Sequence, residues 1–319
     1  LTPSSTERPG PADVPTAPDI RVRHESSRPL DVALTLAQLG HGPYDPAVRR
    51  TPGGALWCTS LLATGPVTRR IVQDGPRTAV VDLWGQGSRE AAEAVPALLG
   101  EDDDDAGFTV PPPLRDAARR AAGMRMPRTG RVLESLIPAI LEQRVQAETA
   151  QRAWRWLLIR YGSPAPGPAP SGMRVVPAPR AWAAVPEWDW HRAGVDPGRA
   201  RIAIACSRVA GRLEQAAVLP APEARARLEA VPGVGPWTSA EVAQRAFGDA
   251  DAVSVGDFNL PGAVGWALTG QRTDEAGMLD LLAPYAPHRH RVVRLLDVSG
   301  RARAPRRGPR TAITDFRRF

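Results

Sequence analysis

The stretch Leu228-Glu-Ala-Val-Pro-Gly-Val-Gly-Pro-Trp-Thr-Ser-Ala-Glu-Val-Ala243 constrains this chain more than any other. A helical pattern ends near Ala230, a tight reversal occupies Val231–Gly235, and a new helix opens at Pro236. Proline suits the first turn of a helix, where no backbone N–H is needed. The two glycines, Gly233 and Gly235, let an outside group approach the backbone closely. The first amides of a helix lack internal partners, and the helix dipole favours an anion beside them. A phosphate fits such a hairpin, with Gly233, Val234, Gly235, Pro236 and Thr238 as its contacts. Contacts of this kind hold a nucleic acid without reading its sequence. The competing reading is an ordinary glycine-capped junction between two helices.

Helical periodicity extends through most of the chain beyond Leu114. Val132, Leu133, Leu136, Ile137, Ile140 and Leu141 share one helical face, and Trp154, Leu157 and Leu158 continue the pattern in the next helix. Further helices are expected over 180–185, 197–217, 222–230, 237–247, 260–268, 274–282 and 290–298. The N-terminal part reads differently. Val32–Leu36, Ala55–Leu62, Val67–Val72 and Thr78–Leu83 are strand candidates separated by turn residues, including Gly65-Pro66. A helix over Arg89–Leu99 would cover that sheet.

The expected class is therefore α+β, a small antiparallel sheet followed by an all-helical domain. The divisions are a disordered N-terminus at 1–19, a β domain at 20–105, a helical domain at 111–298 and a basic tail at 299–319. The acidic run Glu101–Asp105 and the prolines 111–113 mark the boundary, and Gly162–Gly172 reads as a second linker.

Charge points the same way as the hairpin. The chain has 41 basic and 34 acidic residues, a net charge of +7, and a hydrophobic fraction of 43%, enough for a packed core. A basic excess suits a polyanion. Every basic residue other than histidine is arginine, because the sequence contains no lysine. The two cysteines, Cys58 and Cys206, stand far apart in apolar company. That argues against a disulfide framework, an iron–sulfur cluster or a zinc–thiolate site, and for buried thiols. No long apolar run or signal peptide is present, so a cytoplasmic location with no membrane partner is expected.

The hairpin, together with Asp251-Ala-Val-Ser-Val-Gly-Asp257-Phe-Asn-Leu-Pro261, resembles the helix-hairpin-helix DNA glycosylase superfamily. Ile140-Leu-Glu-Gln-Arg-Val145 is similar to the family segment that fills the gap left by an extruded base, and the strands resemble the N-terminal sheet of AlkA-type alkylated-base glycosylases. The resemblance implies that Asp257 is the catalytic aspartate. It implies a base pocket with Trp237, Glu241, Phe258 and His288, and DNA contacts from Gln143 and Arg144. Glu241 and His288 replace aromatic residues of those relatives. The family also implies a monovalent cation held by the backbone carbonyls of Glu229, Val231 and Val234, and no required cofactor. The partner would be double-stranded DNA carrying a damaged base, and the protein a monomer.

Cleaving an N-glycosidic bond builds positive charge on the sugar, which an ionised carboxylate stabilises while orienting water. The competing reading of Asp257 is a cap for the helix that follows. Bifunctional relatives form a Schiff base through a lysine at the position of Trp237; without lysine that route is closed. The expected activity is monofunctional excision of alkylated purines. Its alternatives are a same-fold enzyme for bulky or crosslinking adducts and a non-catalytic sensor of DNA damage.

Overall fold

The computed structural model describes residues 17–301. Five strands form an antiparallel sheet: β1 (Ile20–Glu25), β2 (Val48–Arg50), β3 (Leu56–Leu62), β4 (Gly65–Gln73) and β5 (Thr78–Trp84), in the order β1-β5-β4-β3-β2. The expected strands at 55–62, 67–72 and 78–83 are found in β3, β4 and β5. Gly65-Pro66, expected as a turn, instead opens β4, and the reversal falls at Ala63–Thr64. Val32–Leu36, expected as a strand, is a helical turn over Val32–Thr35 that continues as a 3₁₀ turn over Leu36–Leu39. The cause is local: the Asp31 carboxylate accepts the Leu34 amide at 2.8 Å and caps the turn.

The N-terminal edge is anchored before β1 begins. The indole of Trp84 donates to the Ala17 carbonyl at 2.9 Å, and Asp19 accepts the Gly85 amide at 2.7 Å. The remainder of the expected disordered start, 1–16, and the arginine-rich tail from 302 lie outside the described residues.

One face of the sheet packs Leu56, Val67, Ile71, Val81 and Leu83 against Leu36, Ala91, Val95 and Leu98. The expected helix over 89–99 is present as Ser88–Glu93 and Val95–Leu98, interrupted at Ala94. The other face is covered in part by the segment read as a linker. Ser163–Pro164 pairs with Arg174–Val175, and the intervening chain folds back on Trp57 and Trp84, which stack at 5.6 Å. A side chain at Gly167 would collide with the Trp84 ring, so glycine is what lets this flap lie flat.

The helical lobe is built around Val132–Glu142, whose six expected apolar positions are all buried. Each contributes roughly 1.5–3 kcal/mol through burial. Around it pack Ala147–Tyr161, Glu187–Ala193, Pro197–Arg208 and Pro236–Val242. A second helical core joins Leu114, Val264, Met278, Leu282, Val292 and Leu295.

The acidic run joins the two lobes. Asp103 makes a two-pronged ion pair with Arg291 of the Arg289–Ser299 helix, with side chains only 2% and 5% exposed. Glu101 holds Arg125, Ser26 and Ser27. Desolvation opposes ionisation of Glu101, but those hydrogen bonds win and hold its carboxyl far below the usual range. Both cysteines are buried and free, and burial pushes the Cys206 thiol up to about 12.

A candidate active site beside the hairpin

The helix Ala221–Glu229 ends at a reversal closed by two bonds, Val231 N–H to the Leu228 carbonyl and Val234 N–H to the Val231 carbonyl. Gly233 has φ +92°, a conformation that favours glycine, and a Cβ there would strike Ile202 at 2.5 Å. Gly235 is extended, and a Cβ on it would meet open space. Val234 is buried and pins the turn, while Pro232, Gly233 and Pro236 are exposed. Pro236 then starts the second helix, leaving the amides of its first turn without helical partners.

Two residues expected to contact DNA are joined to each other. Gln143 Nε2 donates to the Gly233 carbonyl at 3.0 Å and to the Thr238 hydroxyl at 2.9 Å, and Thr238 is 2% exposed. Their side chains support the hairpin from beneath. Arg144 differs: it is exposed, with φ +55°, and no other non-glycine among the described residues has a left-handed backbone. Such a conformation costs about 1–3 kcal/mol and is kept where the surroundings impose it.

Asp257 lies at the end of an irregular loop before the Leu260–Thr269 helix. Its Oδ1 accepts the amides of Asn259 at 2.7 Å and Leu260 at 2.8 Å, so it does cap that helix. Its Oδ2 accepts the Trp237 indole N–H at 3.1 Å. The carboxylate is thus half-buried, aimed by three donors, and linked directly to the first turn after the hairpin.

The other expected pocket residues divide. Glu241 faces the same loop, bonding the Ser254 hydroxyl and Arg245. Phe258 is 95% exposed and walls no enclosed pocket. His288 is buried elsewhere, its Nε2 3.1 Å from the Ala106 carbonyl and its ring edge-on to Phe108. A cavity of about 70 Å³ lies at the junction of sheet and helices, lined by residues including Cys58, Arg69, Glu134 and Arg245 but by neither Trp237 nor Asp257.

Sequence reasoning missed Gln244, Arg245 and Ser254. Gln244 Nε2 donates to the Ala252 carbonyl at 3.0 Å and to the Ser254 hydroxyl at 2.9 Å. The available clue was spacing: 237, 241, 244 and 245 fall on one face of a helix. His41 and Glu142 were missed too. Burial would raise the Glu142 carboxyl, but the hydrogen bond and charge of His41, with Arg245 nearby, hold it below its usual range.

Among the carbonyls expected at a cation, that of Val231 already accepts the Val234 amide. A carbonyl oxygen has a second lone pair, so the turn is compatible with an ion. Among the described residues no group of three or more His, Cys, Asp or Glu side chains is arranged to hold a metal. No described helix is long and apolar enough to cross a membrane.

No family model matches the chain. Over 177 residues it is 31% identical to a probable bifunctional transcriptional activator/DNA repair enzyme AlkA, found in two strains of Mycobacterium tuberculosis. The match spans 53% of this chain and 32% of the relative, about a third of that protein's length. The fold is similar to a 3-methyladenine DNA-glycosylase from Archaeoglobus fulgidus, with TM-score 0.71 and 16% identity, covering 88% of this chain and 98% of the other. An 8-oxoguanine glycosylase/lyase from Clostridium acetobutylicum gives TM-score 0.67 and 13% identity, covering 88% and 96%. The chain therefore has the fold of the helix-hairpin-helix DNA glycosylases and shares sequence with AlkA proteins.

Proposed function

We propose that the chain is a DNA glycosylase that excises alkylated purines, such as 3-methyladenine or 7-methylguanine, by extruding the damaged nucleotide. The observation that carries the reading is the Asp257 carboxylate, held by Trp237 at the hairpin helix with one oxygen capping the next helix. The hairpin amides bind a phosphate and bring the neighbouring sugar to Asp257. The ionised carboxylate stabilises the cationic sugar as the base departs and orients the water that replaces it. An alkylated purine already carries positive charge and needs little protonation to leave. The Trp237 ring attracts such a base through its face. Arg144 enters the gap in the stack, where its planar head group replaces the lost base. A monovalent cation on the hairpin carbonyls would add positive field beside the phosphate.

With no lysine in the sequence, the reaction ends at an intact abasic site. Borohydride should trap no covalent complex with DNA. The exposure of Phe258 leaves the rim beside Asp257 open, which favours bulky adducts as a second substrate class. The test is release of free base from alkylated duplex DNA by the wild type and by Asp257→Asn. Release by the wild type alone supports catalysis through Asp257. Tight binding to damaged DNA with release by neither makes the protein a sensor.

A further inference from the structure

Glu241 stands one helical turn after Trp237, and protein groups take up both of its oxygens. Oε1 accepts the Ser254 hydroxyl, and Oε2 accepts Arg245 Nη1 at 2.8 Å. Arg245 also donates through Nε to the Gln38 carbonyl at 2.8 Å, in the N-terminal lobe. Glu241 is thereby gripped on one side and grips on the other. The Ser254 hydroxyl, given to Glu241, accepts Gln244 Nε2 at 2.9 Å, and the Ser254 carbonyl accepts the Asp257 amide at 3.2 Å. Ser254 and Gln244 are each only 5% exposed.

The loop from Asp249 to Asn259 has no helix or strand of its own, and Gly256 with φ +91° gives it freedom to turn. Backbone bonds anchor its start, Asp249 N–H to the Ala243 carbonyl and Arg291 N–H to the Ala250 carbonyl, and nearer Asp257 the Ser254 hydroxyl ties the loop to Glu241 and Gln244. A hydroxyl bonded to a carboxylate is stronger than a neutral pair, and a buried carboxylate beside an arginine keeps its orientation.

We propose that Glu241 is a positioning residue that does not read the base: through Ser254 it braces the loop that aims Asp257. This deepens the glycosylase reading and rests on it for the rate measurements. Glu241, Arg245 and Gln38 then form a relay by which the N-terminal lobe sets the aim of Asp257.

The experiment compares the full-length wild type with Glu241→Ala, Glu241→Gln, Ser254→Ala and the Glu241→Ala/Ser254→Ala pair. Two quantities are read: single-turnover release of 7-methylguanine from duplex DNA, and hydrogen exchange of the 251–260 amides in the free protein. Displacement of a catalytic group by an ångström costs up to about a hundredfold, so Glu241→Ala and Ser254→Ala should each slow release by about ten- to a hundredfold. The pair should lie within about twofold of the slower single variant, since both changes cut one brace. Affinity for duplex carrying an abasic-site analogue should be unchanged, exchange at Asp257 should quicken in both alanine variants, and Glu241→Gln, which keeps an acceptor for Ser254, should recover most of the rate. Slow release in Glu241→Ala with normal rate in Ser254→Ala and unaltered exchange at Asp257 would assign Glu241 to the base and overturn the proposal. If the wild type releases no base, the glycosylase reading fails, while the exchange data still decide whether the brace exists.

Discussion

Trp237 and Asp257 are bonded side chain to side chain, indole N–H to Oδ2 at 3.1 Å, although a loop and most of a helix separate them in sequence. The bond ties the hairpin helix to the carboxylate that the proposed reaction uses. Trp237→Phe keeps an aromatic face and deletes the donor. We expect base release to slow by about tenfold, equivalent to about 1.4 kcal/mol, with DNA affinity little changed. Single-turnover kinetics beside equilibrium binding would check this; an unchanged rate would mean that the bond does not aim Asp257.

The hairpin glycines should fail in different ways. Gly233 has a left-handed backbone and no room for a Cβ beside Ile202, so Gly233→Ala should cost about 1–3 kcal/mol of folding stability. Gly235 is extended and faces open space. Gly235→Asp should fold normally yet repel phosphate, weakening binding to all duplex sequences and lowering the salt slope by about one. Urea unfolding and binding across a salt series separate the two effects.

Acid should loosen the joint around His290. This residue is 4% exposed, and burial, with Arg294, Arg245 and Arg291 adding positive charge, holds its imidazole well below the ordinary range. The unfolded chain takes up the proton first, near pH 6.5. Stability from this group is therefore complete above that pH and falls as pH drops toward the folded-state value, by no more than about 1.4 kcal/mol per unit for one proton. His290→Gln should flatten that part of the curve, measured as the urea midpoint between neutral and mildly acidic buffer. An identical slope in the variant would remove His290 as the cause.

Asp103→Asn tests the joint directly. It leaves Arg291 buried with its partner's negative charge gone, a loss that typically costs about 3–5 kcal/mol. Chemical denaturation should show it, with the protein still folded in water at low temperature. A change below about 1 kcal/mol would mean that water already screens the pair.

Much of the helical lobe was legible because its signals are local. The apolar face of 132–141, the prolines that open helices at 197 and 236, and the glycines of the hairpin each act within a few residues. Asp257 was named from the resemblance, which places an aspartate in the loop after the hairpin, and the structure joins that residue to Trp237 of the hairpin helix. What escaped depends on remote partners or on a competing local bond. Val32–Leu36 alternates like a strand, but the Asp31 cap outweighs that weak pattern. β1 (Ile20–Glu25) alternates half-buried and exposed residues over arginines and a histidine, which hides it. Gly162–Gly172 has the composition of a linker and is folded onto two tryptophans. His288 was expected at the base pocket by register; its actual neighbour, Phe108, lies in a segment whose position no pattern near 288 reveals. The Glu241 brace needs Gln38, some two hundred residues away in sequence, to complete it.

The pairing of Asp103 with Arg291 also bears on how the molecule can be divided. A cut between the β-rich and helical halves, where composition invites one, would part the Arg291 guanidinium from Asp103 and leave Arg245 without the Gln38 carbonyl it binds. A fragment starting at 111 should be poorly soluble, and mixing it with the complementary piece should restore both together, the behaviour of one cooperative body assembled from two differently textured stretches of chain.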